Sequence, residues 1–193
     1  MFNNLPNCLT LSRIIIIPLL AILVMINQPI TDFIACLLFI LAGVTDYLDG
    51  KLARAWQQLS ELGRMLDPIA DKLLVGILLI VMASYDRLPY GGLIPAMVIL
   101  SREILVSGLR EFLASSQVSL PVTKLSKWKT TFQMIAIGFL LAGDSSAEML
   151  GIGWAPISLI GAVLLWISGI LTIVTGWGYV YKGINFINKS EKT

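Results

Sequence analysis

The chain has 193 residues, 56% of them hydrophobic and only 13% charged, with a net charge of +2 and no histidine. A mean hydropathy of +0.83 marks an integral membrane protein and excludes an ordinary water-soluble domain. So small a net charge also excludes a polybasic nucleic-acid surface, and without imidazole any general base is a carboxylate, a lysine or a tyrosine.

Apolar periodicity and turn-like breaks predict six membrane helices, over about 9–27, 33–54, 65–84, 91–114, 125–143 and 155–181. The breaks include Asn27-Gln28-Pro29, Asp86-Arg87-Leu88-Pro89 and Gly143-Asp144-Ser145-Ser146. One domain over 1–188 with a short tail at 189–193 accommodates this pattern, with no long linker and no clear internal repeat. The opening MFNNLPNCLT lacks a basic n-region, and no small-residue cleavage site follows it, so the first apolar stretch is expected to stay as a membrane helix. Cys8 and Cys36 read as small core residues.

The first span opens on Pro6-Asn7-x-Leu9-Thr10-x-x-Arg13. Thr10 and Arg13 are three apart on one helix face, placed either to cap the helix or to contact a phosphate.

From the end of the second span into the third runs Asp46-x2-Asp49-Gly50-x2-Ala53-Arg54-x8-Gly63-x3-Asp67-x3-Asp71. A helix places Asp46 with Asp49, and Asp67 with Asp71, on common faces. Two such pairs form an oxygen-rich set suited to hard divalent cations. Four crowded carboxylates would otherwise repel. Gly50 and Ala53 share the face of the first pair, where small residues let a ligand or a neighbouring backbone approach closely.

Only 12 uncharged residues run from Leu73 to Ser84. At 1.5 Å per residue they cannot cross a hydrocarbon core about 30 Å thick. The third helix must therefore continue backwards through Asp71 and Asp67. Pro68 reads as a first-turn proline or as a kink inside a longer helix, and the length argument favours the second. The fourth span has the same difficulty, because Arg102, Glu103 and Arg110 occupy one half of it. Ionisable groups at membrane depth face a bundle interior or a water-filled cavity, so these halves of spans 2 to 4 and the start of span 5 are expected to enclose a polar chamber. Arg102, Arg110 and Lys127, with Lys124 and Lys129 nearby, are suited to clamping a phosphate. Snorkelling is the competing explanation for the lysines. Tyr179-x-Tyr181-Lys182-Gly183 reads as an interfacial anchor without chemistry. Of the 14 lysines and arginines, all but Arg87 fall on one side of the six spans, which puts the motif and both termini in the cytoplasm.

The motif resembles the signature of the CDP-alcohol phosphatidyltransferases, D-x2-D-G-x2-A-R-x8-G-x3-D-x3-D, at every fixed position. The resemblance extends over nearly the whole chain. Ser101-Arg102-Glu103, Gly108-Leu109-Arg110, Lys127-x-Lys129-Thr130-x-x-Gln133-Met134 and the N-terminal Asn7, Thr10 and Arg13 are similar to the branch that makes phosphatidylglycerol phosphate. It implies an all-α bundle that transfers a phosphatidyl group from CDP-diacylglycerol to glycerol 3-phosphate. It also implies a homodimer among membrane lipids, in a bacterial inner membrane, with no nucleic-acid partner.

On this resemblance Asp46, Asp49, Asp67 and Asp71 hold two Mg²⁺ or Mn²⁺ ions, and Asp71 also takes the proton of the acceptor hydroxyl. Asn7, Thr10, Arg13, Gly50, Ala53, Arg54, Ser60 and Gly63 fall to CDP-diacylglycerol, and Arg102, Arg110 and Lys127 to glycerol 3-phosphate. No Ser, Cys or His constellation suggests a covalent intermediate. Three other readings stay open: a sister enzyme acting on serine or inositol phosphate, a UbiA-type prenyltransferase, and a cation transporter.

Overall fold

The computed structural model describes the backbone of residues 5–55, 61–115 and 123–190, and their side chains except at 5–11, 46–55, 61–64, 115, 124, 182 and 185–190. The described residues form six helices and no strand: α1 (Leu5–Ile26), α2 (Pro29–Ala55), α3 (Glu61–Ser84), α4 (Leu93–Ser115), α5 (Lys124–Met149) and α6 (Ile157–Ser190). These are the six expected spans. The third starts at Glu61, so Asp67 and Asp71 are helical and Pro68 lies inside α3, as the length argument required. The break expected at Gly143 is a local kink (φ 64°, ψ 170°) within α5, which runs on to Met149.

Large apolar side chains point outward on every helix, among them Ile15, Leu41, Ile80, Ile104, Ile135 and Ile170. A helix that is apolar on its buried and its exposed sides belongs in lipid. Among the described residues α6 carries the one stretch that is long and apolar enough to cross unaided, Ile157–Tyr181, beside the shorter apolar stretches Ser12–Ile26 and Pro29–Thr45. The other helices carry charge into their length, which requires those charges to be matched.

The chain forms two compact units, Met1–Leu88 with Ile137–Ser158, and Pro89–Ala136 with Leu159–Thr193. In the first unit α1 packs on α2 and α3. Ile17, Leu20 and Val24 of α1, Ala35, Phe39 and Ala42 of α2, and Leu74, Leu78 and Met82 of α3 are buried there at helical spacing. Cys36 is a free thiol that donates to the Gly138 carbonyl at 3.4 Å.

At one end of this unit a buried ion pair ties three helices. Asp86 ends the last turn of α3 in the left-handed region (φ 53°). Around it the Arg87 amide returns to the Met82 carbonyl at 2.8 Å and the Asp86 amide to Ala83 at 3.4 Å, a helix-stop motif in which aspartate takes the usual glycine place. That stop aims Arg87 at Asp32 in the first turn of α2, with two hydrogen bonds of 2.6 and 2.7 Å. The same guanidinium donates to the Leu141 carbonyl at 3.1 Å, just before the kink. A side chain at position 143 would meet it, since a Cβ there would lie 3.3 Å from Arg87 Nη2.

In the second unit α6 lies on α4 through glycine. A Cβ at Gly169 would fall 2.8 Å from Pro95 Cβ, one at Gly176 3.1 Å from Arg102 Cγ, and one at Gly183 2.6 Å from Leu109 Cδ1. Both sets advance by seven residues in the same direction, so the two helices run parallel with a coiled-coil-like register. Ala162, Leu165, Gly169, Thr172, Gly176, Tyr179 and Gly183, alternately three and four apart, form the buried stripe of α6.

Two stability predictions follow from these contacts. Arg87→Met strands a buried carboxylate and should cost about 3–5 kcal/mol, read as a lower melting temperature of the purified protein in detergent. Adding Asp32→Leu should recover part of that loss. Gly169→Ala forces α6 away from a rigid proline and should cost about 1–3 kcal/mol. Gly178→Ala, with open space around its Cβ, should be neutral or stabilise by up to about 1 kcal/mol.

Candidate functional site

The acidic motif spans two helices of the first unit. α2 remains helical through Asp46, Asp49, Gly50, Ala53 and Arg54, so the first acid pair holds its three-residue offset on a continuous helix. The side chains of these five, of Asn7 and Thr10 in α1, and of Gly63 in α3 lie outside the described residues, as does Ser60 altogether.

The second acid pair is described. Asp67 and Asp71 are both exposed on α3, one turn apart. Asp71 Oδ1 accepts from Arg13 Nη1 of α1 at 3.2 Å. The Asp71 side chain is 56% exposed, whereas that of Arg13 is 3% exposed. A buried guanidinium thus holds one oxygen of a carboxylate that is more than half exposed. Of the two roles open to Arg13, helix start or phosphate contact, neither foresaw this partner.

Oxygen ligands one turn apart on an exposed helix face suit a divalent cation. Among the described residues no group of three candidate ligands converges, and only two of the four motif aspartates have described side chains.

The second unit gathers basic residues around Tyr179. The guanidinium carbons of Arg102 and Arg110 lie 5.4 and 4.9 Å from its ring centroid, within the range of cation–π attraction. Arg110 Nη2 donates to the Tyr179 hydroxyl at 2.9 Å, and Arg102 Nη2 approaches Thr175 Oγ1 at 3.4 Å. Arg102 Nη1 also pairs with Glu103 Oε1 at 3.5 Å. Lys129 Nζ donates to that same carboxylate oxygen.

The structure therefore brings Arg102 and Arg110 together, as their positions in α4 suggested. Lys127 is exposed, and the lysine drawn into this group is the buried Lys129. Buried polar atoms remain in this unit. Arg102 Nε, Arg110 Nε, Gln133 Oε1 and Thr172 Oγ1 have no hydrogen-bond partner among the described residues, an open polar demand that a bound anion and water would meet.

Tyr179 corrects one sequence expectation. It is buried under two arginines, while Tyr181 two residues on is 62% exposed and fits the interfacial role. The signal that separates them is the three-and-four spacing of Gly169, Thr172, Gly176, Tyr179 and Gly183. It is faint in the sequence because glycines and a threonine, not large apolar residues, mark the inner stripe.

Residues 3–174 match the family model described as CDP-alcohol phosphatidyltransferase. The chain is similar to proteins named CDP-diacylglycerol–glycerol-3-phosphate 3-phosphatidyltransferase from several bacteria. The one from Rickettsia typhi is 45% identical over 177 residues, covering 92% of this chain and 95% of the relative. The one from Cereibacter sphaeroides is 40% identical, covering 98% and 99%. The Bacillus subtilis protein is 35% identical, covering 97% and 99%.

Proposed function

The chain belongs to the CDP-alcohol phosphatidyltransferases, and from that premise we infer that it makes phosphatidylglycerol phosphate and CMP from CDP-diacylglycerol and glycerol 3-phosphate. One observation carries the inference. The complete acidic motif sits in a chain that matches, almost end to end, relatives named for this reaction.

In this reading the donor is held by the first unit. Gly50, Ala53 and Gly63 leave room for its head group, and Asn7, Thr10, Arg13, Arg54 and Ser60 contact its phosphates and nucleotide. Asp46, Asp49, Asp67 and Asp71 would hold two divalent cations, Mg²⁺ or Mn²⁺, and the exposed Asp67 and Asp71 fit that task. When bound, such ions offset the negative charge that develops on the departing CMP.

The acceptor is held by its phosphate. Arg102 and Arg110, both turned to Tyr179, supply charge-assisted hydrogen bonds, while the exposed Lys127 stays outside that group. The primary hydroxyl of glycerol 3-phosphate attacks the phosphatidyl phosphorus in line. Its oxygen–phosphorus bond forms as the bond to CMP breaks, and its proton passes to Asp71. With no histidine in the chain, direct transfer with a carboxylate base accounts for the reaction without a covalent enzyme intermediate. The same reading places the enzyme in a bacterial inner membrane as a homodimer, its motif on the cytoplasmic side.

Purified enzyme given CDP-diacylglycerol and a panel of glycerol 3-phosphate, serine and inositol phosphate should release CMP with the first alone. Release with serine instead would reassign it to a sister activity.

Asp67→Asn and Asp71→Asn should each lower turnover by about 100-fold or more. EDTA should abolish turnover of the parent, and added Mg²⁺ or Mn²⁺ should restore it. Full turnover in excess EDTA would remove the cations from the reading.

Arg110→Ala should raise the KM for glycerol 3-phosphate roughly 10- to 150-fold, the equivalent of one charge-assisted hydrogen bond of about 1.5–3 kcal/mol. The KM for CDP-diacylglycerol should stay near the parent value. Arg110→Lys should rescue only part, because the planar fork is lost. The opposite split between the substrates would assign Arg110 to the donor.

A further inference from the structure

Glu103 lies inside the basic group of the second unit, and binding an anion gives a carboxylate there no evident task. Its contacts suggest one. Consecutive residues of a helix point roughly 100° apart and do not normally face each other. Yet Arg102 Nη1 and Glu103 Oε1 are 3.5 Å apart, so both side chains bend toward a common point.

Lys129 of α5 supplies that point by donating to the same oxygen. The Lys129 side chain is 4% exposed, and an ammonium so desolvated needs a counter-charge. The Lys129 carbonyl in turn accepts from Ser168 Oγ of α6 at 3.3 Å, so Glu103 is anchored to a lysine that is itself tied into the unit.

The Arg102 guanidinium also contacts two neutral groups. Thr175 Oγ1 lies 3.4 Å from Nη2, and the Tyr179 ring 5.4 Å from the guanidinium carbon. Its stem passes over Gly176, where a Cβ would come within 3.1 Å. Among these contacts Glu103 alone is charged, and its attraction draws the fork toward it across the 3.5 Å ion pair. The charges also balance. Three cations (Arg102, Arg110, Lys129) and one carboxylate leave two positive charges, the complement of a phosphate dianion.

We propose that Glu103 is a positioning residue for the acceptor: held by Lys129, its carboxylate orients the Arg102 guanidinium toward the acceptor phosphate and keeps the Lys129 charge out of phosphate binding. This rests on the reading of Arg102 and Arg110 as the acceptor's phosphate clamp, and deepens it. Lys129 then acts through Glu103.

The test is steady-state kinetics on purified full-length enzyme, with inorganic phosphate as a competing anion and melting temperatures recorded alongside. Glu103→Gln keeps the size and removes the charge. It should raise the KM for glycerol 3-phosphate roughly tenfold, and the inhibition constant of phosphate in parallel, with kcat and the KM for CDP-diacylglycerol within about twofold of the parent. Glu103→Asp, one methylene shorter, should show a smaller rise, which keeps the test open if the glutamine variant does not fold. Lys129→Met should raise the acceptor KM similarly, and the double variant should be no worse than the worse single one, because the two act as a unit.

Arg102→Ala separates the two claims. If it raises the acceptor KM while both Glu103 variants leave it unchanged, Glu103 is a structural ion-pair partner only and the proposal is overturned. If Arg102→Ala and Arg110→Ala both leave the acceptor KM unchanged, the clamp itself is wrong. A lower melting temperature with an unchanged acceptor KM in both Glu103 variants also overturns the positioning role.

Discussion

Cationic side chains buried in an apolar chain have to be met by an opposite charge or an electron-rich face, and both units are organised around that requirement. Arg13 is met by Asp71, Arg87 by Asp32, Lys129 by Glu103, and Arg102 with Arg110 by the ring of Tyr179. Each pairing joins residues far apart in sequence, or different helices, so matching the charge also fixes how helices pack. The pairings differ in what they leave over. Arg87 and Asp32 satisfy each other with two short bonds, which suits a cross-link with nothing left to bind. Asp71 keeps more than half its side-chain surface, and Arg102 Nε and Arg110 Nε have no hydrogen-bond partner among the described residues.

Glycine makes the second arrangement possible. An arginine stem fits between α4 and α6 only if α6 offers no side chain there, and the seven-residue recurrence of Gly169, Gly176 and Gly183 provides three such places. Outward-facing Val163, Ile170, Ile173 and Val174 meet lipid, while Thr172, Thr175 and Tyr179 face inward. The helix is thus more polar inside than outside, the reverse of a water-soluble amphipathic helix.

That inversion explains what was legible in the sequence. Six helices followed from hydropathy, and the backward extension of α3 followed from the shortfall between Leu73 and Ser84, because both rest on length. The motif acids and the arginines of α4 stood out because charge is rare in such a chain. Arg87 was visible as a lone exception in the charge distribution, yet its partner Asp32 could not be named, since pairing depends on a helix stop that aspartate, not glycine, provides at position 86. Glu103 and Lys129 are 26 residues apart, and which of three nearby lysines turns inward depends on the rotation of α5. The role of Tyr179 was hidden because its stripe consists of residues that carry little hydrophobic signal.

The separation of the two chemistries along the chain has a consequence for specificity. The whole acidic motif lies in α2 and α3 of the first unit, and on the reading above it handles what every CDP-activated donor shares, a diphosphate. The residues assigned to the acceptor lie in the second unit, where α4 and α6 share a glycine-lined seam. A family that keeps one donor chemistry and changes its acceptor can then alter α4 and α6 without disturbing the acid pairs. Within that seam a charged acceptor demands more than extra arginine. Each added cation must be met by a partner, and in this chain Arg102 and Arg110 share the ring of Tyr179 while a carboxylate engages Lys129. On that reading an acceptor without a phosphate forgoes the charge-assisted bonds of Arg102 and Arg110. On the same reading, discrimination against neutral or zwitterionic alcohols follows from the charges assigned to the anion.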